Sequence, residues 1–201
     1  MPMYTIAEVD RIAKSLKVKG QPLNKAMARV AILEDCKKFE KEKSYDVFIS
    51  HSYTDAKANE ERIYALKTDI ESMGFSVYVD WIEDTKLDRS KVTKETADVL
   101  KLRMNSCKSL FFLTSETSSA SKWMPWELGY FDGIKSRVAI LPVLDAPSVS
   151  YKGQEYLGLY PYIKKDTLKQ TQKNTLWVHT AVDHYVSVKE WLNGKNPYKR
   201  D

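Results

Sequence analysis

The feature that most constrains the fold of this 201-residue chain is an alternation of short apolar runs with amphipathic segments, which begins at Tyr45. Runs of strand character cover residues 46–50, 75–80, 109–114 and 138–143, and segments of helical period follow the first three, near 59–73, 92–104 and 125–134. Strands that alternate with helices at this spacing favour a parallel sheet with helices on both faces. We therefore predict an α/β domain over residues 44–195. Weaker patterns predict a fifth strand within 156–165 and a closing helix over 183–193.

The first 43 residues follow a different pattern. Thr5 and Glu8 form a T-x-x-E capping box, and apolar residues recur behind it at helical spacing as far as Leu16. A Gly-Gln-Pro break at 20–22 separates this helix from a second one predicted over 23–41. The prediction is an N-terminal helical extension, residues 1–43, that either packs on the main domain or binds a partner.

The charge distribution decides which partners are plausible. The formal net charge is +5, but residues 1–43 hold 10 Lys/Arg against 6 Asp/Glu, and residues 164–201 hold 8 against 4. Residues 44–163 hold 14 against 17, so the central fold is mildly acidic. A nucleic-acid-binding module would place its basic residues on the central fold. The default interpretation is a lysine-rich, solvated periphery, and no nucleic-acid partner is predicted.

The sequence also lacks the features of membrane-spanning and secreted proteins. No apolar run approaches the roughly 20 residues that a membrane span requires, and the first residues lack a secretory apolar region. Two cysteines, Cys36 and Cys107, cannot build a disulfide scaffold. We predict a cytoplasmic protein with no membrane association, in which both thiols are reduced and buried.

Candidate functional residues lie where the predicted strands end, because open parallel sheets bind ligands at the carboxyl ends of their strands. After the first three strands these residues are Ser50, His51 and Ser52, then Asp80 and Trp81, then Ser115. The run 123–130, W-M-P-W-E-L-G-Y, opens the next helix, with Pro125 suited to its first position. Glu127 in that run has two interpretations. It either complements the helix dipole or stands at the mouth of a cleft walled by indole rings.

Other chemistries find little support in the sequence. The seven glycines form neither a dinucleotide-binding fingerprint nor a phosphate-binding loop. The histidines 51, 179 and 184 lack metal-ligand spacing with the cysteines. A nucleophilic triad built on Ser52 and His51 is disfavoured, because neighbouring loop residues seldom point at one another. We predict no bound metal and no cofactor.

The strand-end residues resemble those of a known family. The stretch 45–52, Y-D-V-F-I-S-H-S, is similar to the first signature box of TIR (Toll/interleukin-1 receptor) domains, and 74–80 resembles their second strand. Residues 109–115, followed by Trp123-x-x-x-Glu127, resemble the segment that holds the catalytic glutamate of enzymatic TIR domains. The match covers about 44–144. Its W-E-L-G-Y form is most similar to bacterial stand-alone TIR proteins, including the TIR component of Thoeris anti-phage systems.

The resemblance implies a flavodoxin-like fold that cleaves the nicotinamide–ribose bond of NAD+, by hydrolysis or by cyclisation to a cyclic ADP-ribose-type signal. NAD+ is then the substrate and not a cofactor, and Glu127 is the catalytic acid. Residues expected to border the substrate are Ser50, His51, Ser52, Asp80, Trp81, Lys86, Ser115, Trp123, Trp126 and Tyr130. The loop 81–90 is longer than in many relatives, which leaves open whether Lys86 or Arg89 faces the substrate; Lys122 is a further candidate cation.

The resemblance also implies partners: self-association through TIR–TIR contacts, a phage-derived trigger and a downstream effector that senses the product. Two alternatives stay open at this point. One is a TIR scaffold that signals by assembly alone, since a fold does not fix a function. The other is a nucleoside-processing glycosyltransferase on a related sheet.

Overall fold

A computed structural model describes residues 3–18, 44–52, 59–84, 93–114, 121–146, 148, 150–151, 153, 155–169 and 171–200. Elements are numbered along these residues. The strands are β1 (Tyr4–Thr5), β2 (Tyr45–Ser50), β3 (Val77–Tyr78), β4 (Cys107–Thr114), β5 (Val138–Leu144), β6 (Tyr162–Thr167), β7 (Asn174–His179), β8 (His184–Ser187) and β9 (Tyr198–Lys199). The helices are α1 (Ile6–Val18), α2 (Glu60–Ser72), α3 (Asp80–Glu83), α4 (Lys94–Ser106), α5 (Trp123–Lys135) and α6 (Val188–Leu192), with a 3-10 turn over Glu155–Leu159.

The strands form one sheet in the order β3-β2-β4-β5-β6-β7-β8-β9, and β1 pairs with β5 outside this path. From β3 to β6 all pairs are parallel. Taken alone, the five parallel strands follow the order 2-1-3-4-5, which is that of flavodoxin-like sheets. The α/β, flavodoxin-like prediction is therefore confirmed.

Helices cover both faces of this sheet and enclose two apolar cores. One core holds side chains of α1, α2 and α6 against the sheet, among them Val9, Leu66 and Trp191. The other holds side chains of α4 and α5, among them Leu100 and Phe131. Because β2, β4 and β5 lie between two layers of helix, both of their faces are apolar, as expected for buried parallel strands.

The carboxyl-terminal part differs from the sequence prediction. Residues 183–193 do not form one helix, because His184–Ser187 is a strand and the helix begins at Val188. Ser187 and Glu190 form an S-x-x-E capping box, in which the Glu190 amide donates to Ser187 Oγ at 3.3 Å. The predicted fifth strand begins only at Tyr162, after the 3-10 turn. Strands β7, β8 and β9 extend the sheet in antiparallel fashion and were not predicted.

Two predicted boundaries near the middle of the chain are also corrected. The run 75–80 contributes only Val77–Tyr78 to the sheet, and Asp80–Glu83 form a helical turn where a loop was expected. Helix α2 ends as predicted, because Gly74 adopts a φ of +91° that other residues rarely take. None of the helices in the described ranges combines the length and apolar character needed to cross a bilayer.

The beginning of the chain is built into the sheet. Tyr4 and Thr5 pair in parallel with Val143 and Leu144, and the Thr5 hydroxyl accepts the Glu8 amide at 3.1 Å, as the capping box predicts. Tyr4 is fully buried, and its hydroxyl donates to Asp69 of α2 at 2.6 Å. Residues 3–18 thus share a core with the main domain. The predicted helix over 23–41 lies outside the described residues, so a domain boundary at residue 43 stays a prediction.

Of the two cysteines, Cys107 is buried and forms no disulfide with a described residue. Burial raises its pKa to about 12, so the thiol is protonated at neutral pH. This agrees with the expectation of a reduced, apolar cysteine at that position. Cys36 lies outside the described residues.

Candidate active site

The candidate site lies at the carboxyl end of β2, where the chain order of the sheet reverses between β2 and β4. Connections leave this point toward opposite faces, which is where flavodoxin-like sheets place their ligand site. Ser50 is the last residue of β2, and His51 and Ser52 follow it directly. All three are at most 1% exposed, which places polar side chains inside the protein at the expected position.

Glu127 reaches this point from α5. Its Oε2 accepts a 2.6 Å hydrogen bond from the Ser50 hydroxyl, and both residues are fully buried. Glu127 lies one turn inside the helix, and the first turn contains no acidic residue. Because the dipole acts mainly on the terminal turn, the contact with Ser50 accounts for Glu127 better than the dipole interpretation does.

The start of α5 differs from the prediction. The helix begins at Trp123, so Pro125 is its third residue and not its first. Proline is tolerated there because the first amide groups of a helix have no acceptor within it. The Met124 amide is instead bound by Ser121 Oγ at 3.2 Å. Lys122, a candidate cation, precedes the helix and is exposed.

His51, the residue after Ser50, meets Asp80 at the carboxyl ends of β2 and β3. His51 Nε2 lies 3.4 Å from Asp80 Oδ1, and the two side chains are 1% and 2% exposed. The other ring nitrogen, Nδ1, lies 3.2 Å from the carbonyl oxygen of Ile49. His51 and Asp80 were both predicted to border the substrate. In the structure, both ring nitrogens of His51 face protein groups, and Asp80 contacts the imidazole.

The aromatic residues of α5 form a ladder along the helix. Trp123 packs edge-to-face on Trp126 with ring centroids 5.4 Å apart, and Trp126 stacks on Tyr130 at 5.8 Å. Asn105, near the end of α4, donates to the Tyr130 hydroxyl at 3.1 Å. Since β4 begins just after α4 ends, Tyr130 lies toward the amino-terminal edge of the sheet. The ladder thus runs from Trp123, at the start of α5, to Tyr130 near the amino-terminal edge of the sheet.

Trp81 belongs to the other core. It is 6% exposed and packs among the residues that α1 and α2 cover, whereas Trp123 packs in the core of α4 and α5. Its indole Nε1 is buried without a hydrogen-bond partner among the described residues. Trp81 and Trp123 therefore do not face each other across a common cleft in this structure.

Two polar clusters that the sequence did not reveal hold α3 in place. In the first, Glu83 accepts a 2.8 Å hydrogen bond from the Tyr45 hydroxyl and lies 3.5 Å from the Lys67 ammonium group. Lys67 also donates to the Val77 carbonyl and contacts Glu71. Burial and the Glu83 carboxylate raise the pKa of Tyr45. These groups come from three separate stretches of the chain, so no local motif marks them.

The second cluster binds the residue that follows α3. Arg103 of α4 donates two 2.7 Å hydrogen bonds to Asp84, and the Tyr78 hydroxyl donates a third at 2.6 Å. Bidentate guanidinium–carboxylate contacts fix orientation as well as distance. Together the two clusters fix α3, and with it Asp80, against α2 and α4.

Three predicted residues cannot be placed. Lys86, Arg89 and Ser115 lie outside the described residues, so their assignment to the substrate stays a prediction. Within the described ranges, no group of three or more His, Cys, Asp or Glu side chains is arranged to hold a metal ion.

The sheet is flavodoxin-like, and a buried carboxylate is bound at its switch point. These features define an α/β protein of the class that places its ligand site at the strand ends. No protein-family model matches the chain. A protein of Bacillus cereus (strain MSX-D12) named "Probable 3' cyclic ADP-D-ribose synthase ThsB'" is 52% identical over 194 residues, covering 94% of this chain and 98% of that protein. The chain belongs to the bacterial TIR family, in the Thoeris group that includes ThsB'.

A second relative matches a shorter stretch. A protein of Cytobacillus dafuensis named "Putative cyclic ADP-D-ribose synthase TIR2" is 38% identical over 89 residues, which cover 44% of this chain and 22% of that protein. The names of both relatives refer to cyclic ADP-D-ribose synthesis. The family prediction made from the signature boxes is thus confirmed.

Proposed function

We propose that this chain is an NAD+-cleaving enzyme of bacterial anti-phage defence that breaks the nicotinamide–ribose bond and closes the ADP-ribose unit into a cyclic product. The observation that carries the proposal is the buried Glu127 carboxylate, bound to Ser50 at 2.6 Å at the switch point of the sheet. The 52% identity to a chain of nearly equal length, named as a 3' cyclic ADP-D-ribose synthase, supports it.

The residue types suit this reaction. When the bond between the ribose carbon and the pyridinium nitrogen breaks, the electron pair leaves with nicotinamide and neutralises its positive charge. The remaining sugar has oxocarbenium character, as in glycoside cleavage, and a nearby carboxylate stabilises it. Glu127 supplies that carboxylate, and Ser50 orients it through the hydrogen bond.

The product depends on which nucleophile reaches the sugar carbon. Water gives ADP-ribose, whereas an internal group of the adenosine half gives a cyclic product, and either nucleophile releases one proton. We favour the internal nucleophile because the names of both relatives refer to cyclic ADP-D-ribose synthesis. A pocket that closes around bound NAD+ and excludes water would promote this outcome.

Glu127 has no exposed surface, so NAD+ contacts it only after neighbouring groups move. We include in the proposal that self-association, with an infection-derived trigger, opens and completes the pocket. A downstream effector would then sense the cyclic product. Each partner is proposed from the family resemblance and is open to direct measurement.

The test is mass spectrometry of NAD+ incubated with the purified full chain over a range of protein concentrations, with and without extract of phage-infected cells. We expect nicotinamide together with a product one water lighter than ADP-ribose, and neither from the Glu127→Gln variant. ADP-ribose as the main product would identify a hydrolase. Intact NAD+ under all conditions, from a chain that self-associates, would favour the non-enzymatic scaffold, and cleavage of nucleosides in place of NAD+ would favour a glycosyltransferase.

A further inference from the structure

A buried histidine–aspartate pair lies at the carboxyl ends of β2 and β3, one residue along the chain from Ser50. His51 follows Ser50 in the chain, and its Nε2 lies 3.4 Å from Asp80 Oδ1. Side-chain exposures of 1% and 2% leave little surface on either residue for a substrate to touch. The contacts described for His51 are to protein groups through both ring nitrogens, which is the arrangement of a positioning group.

The hydrogen positions of His51 follow from its two contacts. A carbonyl oxygen can only accept, so Nδ1, which faces the Ile49 carbonyl at 3.2 Å, carries a hydrogen. The other nitrogen faces a carboxyl oxygen. If neither group held a proton there, a nitrogen lone pair would oppose a buried carboxylate, which is strongly unfavourable. A proton on this contact would remove that repulsion, and the imidazole is ordinarily the more basic partner.

We propose that His51 and Asp80 form a positioning pair, in which an imidazolium with both nitrogens protonated binds the Asp80 carboxylate and holds Ser50 in place to orient Glu127. The catalytic part of this inference rests on the proposed function, whereas the protonation of His51 does not. Neither residue is assigned a contact with NAD+.

The surrounding structure makes Asp80 a firm point of attachment. Asp80 opens α3, and the cluster of Lys67, Tyr45 and Glu83 binds the other end of that short helix. Arg103 binds the next residue, Asp84, through two hydrogen bonds. The His51 ring spans the distance between this fixed helix and the carbonyl of Ile49. It thereby links α3 to the end of β2, the point from which Ser50 reaches Glu127.

The pair also removes an electrostatic cost. An Asp80 carboxylate without a counter-charge would be a buried negative charge at the same end of the sheet as Ser50. Bound to an imidazolium, it adds no net charge. The developing positive charge on the sugar is then opposed by a negative Glu127 carboxylate alone.

The test combines steady-state kinetics with nuclear magnetic resonance. In Asp80→Ala we expect kcat for nicotinamide release to fall about 10- to 100-fold with KM changed less than about twofold, because misorientation affects the reacting geometry and not binding. Asp80→Asn preserves a side-chain contact to Nε2 and should restore kcat to within about threefold of wild type. The double variant His51→Ala/Asp80→Ala should cost no more than the worse single variant, since the two residues act as a unit.

The spectroscopic arm needs no activity. With three histidines in the chain, selective 15N-histidine labelling resolves each ring. At neutral pH we expect both nitrogens of His51 protonated in wild type and Nε2 deprotonated in Asp80→Asn. The control is Asp183→Ala, which removes an aspartate 2.8 Å from the half-exposed His184 and should change neither kcat nor the His51 signals.

The outcomes separate the two proposals. A deprotonated Nε2 in wild type overturns the ion pair whatever the activity. A rise in KM with unchanged kcat in Asp80→Ala would assign Asp80 to substrate binding, and an Asp80→Asn variant as impaired as Asp80→Ala would show that the charge, not the position, matters. No NAD+ cleavage by wild type or by Asp183→Ala would overturn the proposed function, while the protonation of His51 is still decided by the spectra.

Discussion

The hydroxyl of Ser50 donates a 2.6 Å hydrogen bond to the carboxylate of Glu127 across a separation of 77 residues, with both side chains fully buried. This contact connects the end of β2 to the middle of α5. It joins two signature boxes of the sequence into one site. Substitution of either Ser50 or Glu127 therefore tests the proposed chemistry directly.

Replacement of Glu127 by glutamine keeps the size of the side chain and its ability to accept from Ser50. Without the negative charge, the sugar cation loses its stabilisation, and we expect the rate of nicotinamide release to fall by at least about 10²-fold. The measurement is nicotinamide release at saturating NAD+. Glu61→Gln, at a half-exposed glutamate on α2 that pairs with Lys17, is the control and should retain full activity. Equal activity of Glu127→Gln and wild type would exclude Glu127 as the catalytic residue.

Replacement of Ser50 by alanine leaves a buried carboxylate without one of its hydrogen-bond donors. Hydrogen bonds to charged groups contribute about 1.5–3 kcal/mol, so the free energy of unfolding should fall by that amount. The rate should fall about 10- to 100-fold through misorientation of Glu127. Denaturant unfolding and the NAD+ assay check the two effects. Ser72→Ala, which removes an exposed hydroxyl on α2, should show neither.

The aromatic ladder of α5 should divide functionally between its two ends. The Tyr130 hydroxyl accepts from Asn105 near the amino-terminal edge of the sheet, opposite the candidate site, so Tyr130→Phe should leave KM and kcat within about twofold of wild type. Trp123 lies one helical turn before Glu127, and Trp123→Phe should raise KM for NAD+ roughly 3- to 10-fold, the equivalent of about 0.5–1.5 kcal/mol of aromatic contact. A larger effect of Tyr130→Phe than of Trp123→Phe would contradict this division.

The start of the chain should contribute to the stability of the domain. Tyr4 is buried against α2, and its hydroxyl binds Asp69, which also lies 2.9 Å from Lys165 of β6. Tyr4→Phe should lower the free energy of unfolding by about 1.5–3 kcal/mol, because the Asp69 carboxylate loses a donor. Urea titration measures the change. Unchanged stability would show that the Tyr4–Asp69 hydrogen bond does not stabilise the domain.

The stability of the fold should depend on pH through His179. This ring stacks between Tyr162 and Tyr185, and burial lowers its pKa to about 4 from an ordinary value near 6.5. The unfolded chain therefore binds more protons than the native one between these values, so stability is complete above pH 6.5 and is lost as pH falls toward 4. With about 1.4 kcal/mol per pKa unit, the loss is on the order of 3 kcal/mol.

His179→Asn tests this dependence. Asparagine does not titrate, and its amide can donate to the Ala181 carbonyl as Nδ1 does at 3.2 Å in the native ring. The decline of Tm between pH 6.5 and 4 should be shallower than in wild type, even though the variant is less stable at neutral pH. Parallel curves for the two proteins would exclude His179 as the source.

Much of the central fold could be predicted from local pattern, because hydrophobic period and capping residues act over a few positions. The strand ending at Ser50, the helix behind the T-x-x-E box and the buried strand before residue 115 all lie where the sequence placed them. The carboxyl-terminal strands were missed because alternation over four to six residues is weak, and because their pairing depends on the edge offered by β6. The S-x-x-E box at Ser187 was a signal that went unused.

The sequence by itself determined the order of the central strands and helices, the family and the residues to examine at the strand ends, since all of these depend on short motifs. Only the tertiary structure decided which of those residues meet. Ser50 contacts Glu127, His51 contacts Asp80 and Tyr130 contacts Asn105, because such contacts depend on strand order and helix rotation over long separations. The clusters around Glu83 and Asp84 have the same origin: partners from β2, β3, α2 and α4 meet only after the sheet has formed.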